Sequence, residues 1–179
     1  MNHLTHLTNI FLIGPMGVGK TTIGHRVADI LERTFIDSDH EIEERTGATI
    51  PLIFEYEGES GFRKREQASI AELTERQNIV LSTGGGVVLN ADNRHHLHSR
   101  GYVIYLQASV DELLERTAHC RHRPLLQTEN PRERLETLLK ERHLLYTAVA
   151  HITIETGHRT IRQVVKAVLR HLKKIEYTT

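Results

Sequence analysis

Residues 9–22 read Asn-Ile-Phe-Leu-Ile-Gly-Pro-Met-Gly-Val-Gly-Lys-Thr-Thr, and no other stretch limits the fold so tightly. The apolar run Ile10 to Ile13 predicts a strand, and Thr22 to Leu31 carries a helical pattern. Between them lies Gly14-x-x-x-x-Gly19-Lys20-Thr21, the P-loop pattern, in the strand–loop–helix setting it requires. Its glycines let the backbone turn with unusual dihedrals and bring N–H groups onto phosphate oxygens. Gly14, Pro15, Met16, Gly17, Val18, Gly19, Lys20, Thr21 and Thr22 are therefore the expected nucleotide-binding residues. Lys20 would reach the β- and γ-phosphates, Thr21 would ligate Mg²⁺, and the following helix would present its N-terminus to the anion. The glycines at 14, 17 and 19 do not fit the G-x-G-x-x-G spacing of a dinucleotide loop. A nucleoside triphosphate is the ligand they predict.

The rest of the chain bounds that reading. At 179 residues it fits one domain, burying roughly 70% of its unfolded surface. Lysine and arginine balance aspartate and glutamate at 23 each, which gives no electrostatic case for nucleic acid or a membrane. Apolar runs are far too short for a bilayer span, and residues 1–8 lack a basic secretory start. The one cysteine, Cys120, permits no internal disulfide and suits a reducing cytosol. A cytoplasmic, monomeric protein is expected.

Strands are predicted at Asn9–Ile13, Thr34–Ile36, Ile79–Ser82, Tyr102–Leu106 and His151–Ile154. Helices are predicted near Lys20–Glu32, His40–Thr46, Ile50–Tyr56, Arg63–Gln77, Asp92–Ser99, Val110–His119, Pro131–Ala148 and Thr160–Lys174. The alternation implies an α/β fold, a parallel sheet covered on both faces, with ligands outside the carboxyl ends of the strands.

Those ends carry the remaining chemistry. The second strand runs into Asp37-Ser38-Asp39. In an extended chain both carboxylates would face one way, a costly arrangement unless a cation or a hydrogen-bonding substrate lies between them. Asp37 would then hold the water shell of Mg²⁺ and Asp39 would accept a hydrogen bond from the acceptor hydroxyl. An N-cap by Ser38 or Asp39 for the helix at His40 is the alternative. The third strand ends in Gly84-Gly85-Gly86, a second substrate wall whose backbone a ligand can approach closely.

Between these strands lie roughly forty residues without strand signal, longer than an ordinary crossover. This insert, about 38–66, holds Phe54, Phe62, Arg63 and Glu66 around the turn Glu57–Gly61. Arg63 is placed to clamp an anion or pair with a carboxylate, whereas Lys64 and Arg65 read as a solvated run. Residues 118–130 are basic and poorly periodic, as a mobile lid over a triphosphate would be. There Arg123, held extended before Pro124, would deliver charge to a transferring phosphoryl group. His119, Cys120 and His122 lie too close in sequence to converge on a metal, and His95, His96 and His98 read as a solvated helix face.

Taken together with Glu-Arg-Thr-Gly at 44–47, Phe-Arg-x-x-Glu at 62–66, Arg-Pro-Leu-Leu at 123–126 and Glu-Arg-x-x-Leu-Tyr at 141–146, these motifs resemble the shikimate kinases, in order and over nearly the whole chain. The resemblance implies a nucleoside-monophosphate-kinase-like fold, five parallel strands ordered 2-3-1-4-5. It implies Mg²⁺-dependent transfer of the ATP γ-phosphate to the 3-hydroxyl of shikimate, toward chorismate and aromatic amino acids. It assigns Asp39 the base and substrate-hydroxyl role, Asp37 the metal through water, and Arg63, Arg142 and Gly85 the shikimate carboxylate. Phe54 and Phe62 would line the ring pocket, and Arg116, Arg123 and Arg159 would approach the nucleotide. One departure stands out: the family often has proline before the final Leu-Tyr, where this chain has Leu144. The residues by themselves leave gluconate or a nucleoside monophosphate open as acceptors, and a non-catalytic nucleotide-binding module as a further rival.

Overall fold

The computed structural model describes residues 9–118 and 130–178, with the side chains of 176–178 excepted. Five strands, β1 (Ile10–Ile13), β2 (Thr34–Asp37), β3 (Ile79–Ser82), β4 (Tyr102–Gln107) and β5 (Ile152–Glu155), form one sheet in the order β2-β3-β1-β4-β5. Every pairing is parallel, with Leu12 opposite Ser82 on one side and Ile104 on the other. Seven helices connect them among the described residues: α1 (Lys20–Leu31), α2 (Ser38–Thr46), α3 (Ile50–Leu73), α4 (Ala91–Arg100), α5 (Val110–Thr117), α6 (Pro131–Val149) and α7 (Ile161–Thr178).

The strands are short apolar runs because both their faces are covered. Ile10, Leu12, Val80, Ile104 and Leu106 pack with Ile23 and Val27 of α1 and with Val164, Val168 and Leu172 of α7. The intervening Phe11, Ile13, Leu81, Val103 and Tyr105 pack on the other side with Ile70 and Leu73 of α3, Leu97 of α4 and Tyr146 of α6. Opposite the phosphate-loop end, Asn9 donates to the carbonyls of Arg76 (2.7 Å) and Arg100 (3.3 Å) and accepts from the Ile79 amide, tying the starts of three strands together. No helix among the described residues is long and apolar enough to cross a membrane.

The predicted elements are all present, with three corrections. First, the two helices expected at Ile50–Tyr56 and Arg63–Gln77 are both present within α3 and meet at a kink at Gly58, whose φ of 68° lies outside helical space, but the second ends at Leu73. The expected turn at Glu57–Gly61 shrinks to that one glycine. Second, β2 ends at Asp37 and helix begins at Ser38, so Asp39 stands in the first turn of α2 and not in extended chain. The N-cap is neither Ser38 nor Asp39 but Asp37, which accepts from the amides of Asp39 (3.0 Å) and His40 (3.4 Å). Third, the histidine face of α4 is not wholly solvated. His98 meets the Val149 carbonyl at 3.1 Å and stacks on His151, and burial lowers the His96 pKa. Leu144 continues α6 without a break where proline would have removed an amide donor, and its side chain is exposed.

Candidate active site

The P-loop follows β1 with Gly14, Gly17 and Gly19 all at positive φ. A Cβ at Gly14 would collide with the Leu106 carbonyl of β4, so the loop can lie this close to the sheet only with glycine there. Gly19 caps α1 with no side-chain acceptor, which leaves the first amides of the helix for a ligand. Lys20 is buried and its ammonium donates to the carbonyls of Gly14 and Pro15, 2.8 Å each. A phosphate entering the loop would exchange two neutral acceptors for charged ones, a stronger partner for the same donor.

Thr21, next along α1, donates to Asp37 Oδ2 at 2.8 Å and lies 3.4 Å from the Ser82 hydroxyl at the end of β3. Asp37 thus serves two ends: one oxygen caps α2 and the other meets Thr21. A hydroxyl and a carboxylate at the edge of a phosphate loop are the hard oxygen donors that Mg²⁺ takes together with phosphates and water. Among the described residues no group of three or more His, Cys, Asp and Glu side chains is placed to hold a metal ion by itself.

The helical start of α2 still brings Asp39 to the site. Its Oδ1 is buried with no hydrogen-bond partner among the described residues. Burial raises its pKa to about 7, the neighbouring Asp37 and Glu66 push the same way, and Lys20 and Arg63 only partly oppose them. An aspartate so placed is half-protonated near neutrality and poised to take a proton. Glu66, buried on α3, is likewise raised, mainly by burial, and its Oε1 lacks a partner. Its other oxygen accepts from Arg63 at 2.8 Å, and Arg63 also pairs with Glu59 at 3.0 Å. Arg65 instead pairs with Glu57 at the surface, as a solvated run should.

The triple glycine explains itself against these groups. A Cβ at Gly84 would stand 2.8 Å from Asp39 Oδ1 and 2.9 Å from Glu66 Oε1, and one at Gly86 would fall inside the Arg63 guanidinium. At Gly85 a Cβ would point at the P-loop, 3.4 Å from the Met16 amide. Arg142 is buried on α6 within electrostatic range of Glu66, with Nε unpartnered. Phe54 and Phe62 face each other at 4.9 Å beside Ile42 and Ile53, and Arg63 sits 5.2 Å from the Phe62 ring. Three unpartnered buried polar atoms, on Asp39, Glu66 and Arg142, thus come from the elements that hold two arginines, two rings and a glycine wall. In a folded protein such atoms are rare, and a polar ligand is their natural partner.

Against this geometry the comparisons are decisive. The family model for shikimate kinase matches residues 16–173. The chain belongs to the shikimate kinase family. The shikimate kinase of Methylococcus capsulatus is 57% identical over 166 residues, covering 93% of each chain. A solved structure of shikimate kinase from Acinetobacter baumannii in complex with shikimate superposes with a TM-score of 0.92 at 51% identity, covering 96% of both chains. A gluconokinase from Sinorhizobium meliloti shares the fold, with a TM-score of 0.60 at 15% identity over 97% of this chain and 95% of its own.

The nucleotide-side arginines divide. Arg116, near the end of α5, donates to the Thr156 hydroxyl (3.0 Å) and carbonyl (3.2 Å) and lies 3.5 Å from the Val18 carbonyl of the P-loop. Arg159 is exposed between β5 and α7 and makes no hydrogen bond or ion pair among the described residues. Arg123, with the His119, Cys120 and His122 stretch and nearly all of the expected lid, lies outside the described residues. Two residues that carry the geometry were given no role from the sequence. Ser82 ends β3 beside Thr21, and Glu66 falls three residues after Arg63, the helical spacing that pairs them.

Proposed function

We propose that the chain transfers the γ-phosphoryl group of ATP to the 3-hydroxyl of shikimate, giving shikimate 3-phosphate and ADP. The observation that carries this is the meeting of Asp39 with Arg63 and the glycine wall, whose Gly85 faces the P-loop backbone at Met16. Shikimate presents one carboxylate and three hydroxyls on a small ring. Arg63 and Arg142, with the amides of the glycine wall around Gly85, answer the carboxylate, Asp39 the hydroxyls, and Phe54 and Phe62 the ring.

In the proposed reaction Asp39 Oδ1 accepts the proton of the 3-hydroxyl as its oxygen attacks the γ-phosphorus. The bond to the β-phosphate oxygen breaks and ADP leaves with that electron pair. Lys20 leaves the Gly14 and Pro15 carbonyls to neutralise charge on the β- and γ-phosphates. Thr21 directly and Asp37 through water would hold Mg²⁺, which would supply further charge neutralisation to the transferring group. Arg123, and more distantly Arg116 and Arg159, are proposed nucleotide contacts. A cytoplasmic monomer, acting without nucleic acid or membrane, completes the proposal, supported by the even charge balance. Nuclear magnetic resonance of the product tests it. Phosphorus coupled to the ring proton at position 3 is expected; ATP consumption without a phosphorylated ring would overturn it.

Two further results are expected. Asp37→Asn keeps a side-chain oxygen able to cap α2, so the fold should survive, but the charge near the metal is lost. The Mg²⁺ concentration for half-maximal rate should rise about tenfold; an unchanged Mg²⁺ titration would remove Asp37 from the metal shell. The pH profile should report Asp39. With both substrates subsaturating, the rate reflects the free protein. Because the base must be ionised and its pKa stands near 7, the rate should fall about tenfold per unit as pH drops below that value. A profile flat down to pH 5 would mean an ordinary carboxylate and contradict this role.

A further inference from the structure

Tyr146 is fully buried on α6, stacked on Tyr105 with ring centroids 4.9 Å apart. Its hydroxyl donates a short hydrogen bond to the Gly85 carbonyl, 61 residues away in sequence. That carbonyl belongs to the peptide unit whose N–H is Gly86's, and in a trans peptide the two point to opposite sides. A fixed carbonyl therefore fixes the direction of the Gly86 amide. Neither the Gly85 nor the Gly86 amide donates to a protein acceptor among the described residues, whereas the neighbouring Gly84 amide is taken by Ser38 at 3.2 Å. A Cβ on Gly86 would meet the Arg63 guanidinium, so this glycine borders the acceptor side of the site. Arg142 sits one helical turn before Tyr146 and acts on its hydroxyl electrostatically.

From this geometry we infer that Tyr146 is a positioning residue for the acceptor. Its hydroxyl pins the triple-glycine loop so that the Gly86 amide, Arg63 and Arg142 converge on one carboxylate. Without the pin, the 85–86 peptide can rotate about two glycines that have no side chain to hold it. The nearby Tyr105 hydroxyl makes a different bond, to His143 Nδ1 at 3.2 Å, and does not touch the loop. The two tyrosines therefore separate positioning from packing within one aromatic stack. This inference deepens the proposed function and rests on it for the identity of the acceptor.

Tyr146→Phe and Tyr105→Phe, which both keep the stacked ring, provide the test. Loss of one buried hydroxyl bond and an unsatisfied carbonyl should raise the KM for shikimate about tenfold in Tyr146→Phe. The KM for ATP should stay unchanged and kcat should change less than twofold. Tyr105→Phe should leave both KM values where they are. Hydrogen exchange of the 84–89 segment, measured without ligands, should be faster in Tyr146→Phe only. An unchanged shikimate KM, a parallel rise in the ATP KM, or equal effects from both variants would overturn the inference. If the parent protein does not phosphorylate shikimate, the proposed function fails instead. The exchange measurement then decides the pin by itself: faster exchange in Tyr146→Phe sustains it, and equal exchange removes it.

Discussion

Lys20→Ala should lower turnover on the order of 10³-fold while leaving a folded protein. The lysine ammonium is already buried inside the loop, held by two of the loop's own carbonyls at 2.8 Å. When phosphate arrives the ammonium exchanges these two neutral acceptors for charged oxygens without first having to be drawn out of water, which makes such a charge effective in a partly desolvated site. Removing it takes one positive charge from the γ-phosphate in the transition state, and the proposed Mg²⁺ and Arg123 contacts would have to act without it. The fold should survive because the core around α1 is built by Ile23, Val27 and Ala28, none of which leans on the Lys20 side chain alone. Initial rates of ADP release and a thermal melt of the same sample measure both halves. A folded variant with near-parental rates would end the P-loop account.

Asp39→Asn should abolish transfer and at the same time stabilise the ligand-free protein. A base in the transition state contributes about 10²–10⁴-fold, and asparagine cannot take the proton. ATP binding should persist, since the nucleotide is held by the loop and not by α2. The stability gain follows from linkage. The folded pKa of Asp39 stands near 7, above its ordinary value of 3.8. Between those two values the folded state binds more protons than the unfolded one, so this group's contribution becomes less favourable as pH rises and stays so above 7. Its buried carboxylate charge, beside Asp37 and Glu66, is the cause. The variant should therefore melt a few degrees above the parent at pH 8, and the difference should shrink as pH falls toward 4. A melting point below the parent's at pH 8 would show that Asp39 stabilises the fold, contrary to its place among like charges. Function here costs stability.

The sequence made the five strands and the phosphate loop legible because both depend on local patterns, apolar runs for strands and glycines at fixed offsets before a lysine, whereas the strand order came only through the family resemblance. It misplaced the backbone of Asp39 and the N-cap of α2 for an equally local reason. Whether the chain is extended or helical at Asp39 turns on the two residues where β2 ends, and element ends are poorly marked in sequence. Once Asp37 is seen to cap α2 with one oxygen and meet Thr21 with the other, its capping and metal-side roles stop being alternatives. Glu66 was visible as a helical neighbour of Arg63, but nothing local said that its second oxygen would be sealed against Asp39 and Gly84. Tyr146 stood in the sequence only as the last residue of the Glu-Arg-x-x-Leu-Tyr motif. Its partner, the Gly85 carbonyl, comes from a different layer of the fold.

The site formed by α2, α3 and the glycine wall should select a small hydroxylated ring that carries a carboxylate, and not an open-chain sugar acid or a nucleotide. Release of ADP, measured in parallel with shikimate, gluconate and the nucleoside monophosphates as acceptors, tests it most directly. Shikimate should exceed every other acceptor in kcat/KM by at least about 10³-fold, because a rival lacking the matched carboxylate and hydroxyls leaves buried polar groups unpaired. A nucleoside monophosphate or gluconate turned over faster than shikimate would contradict the account.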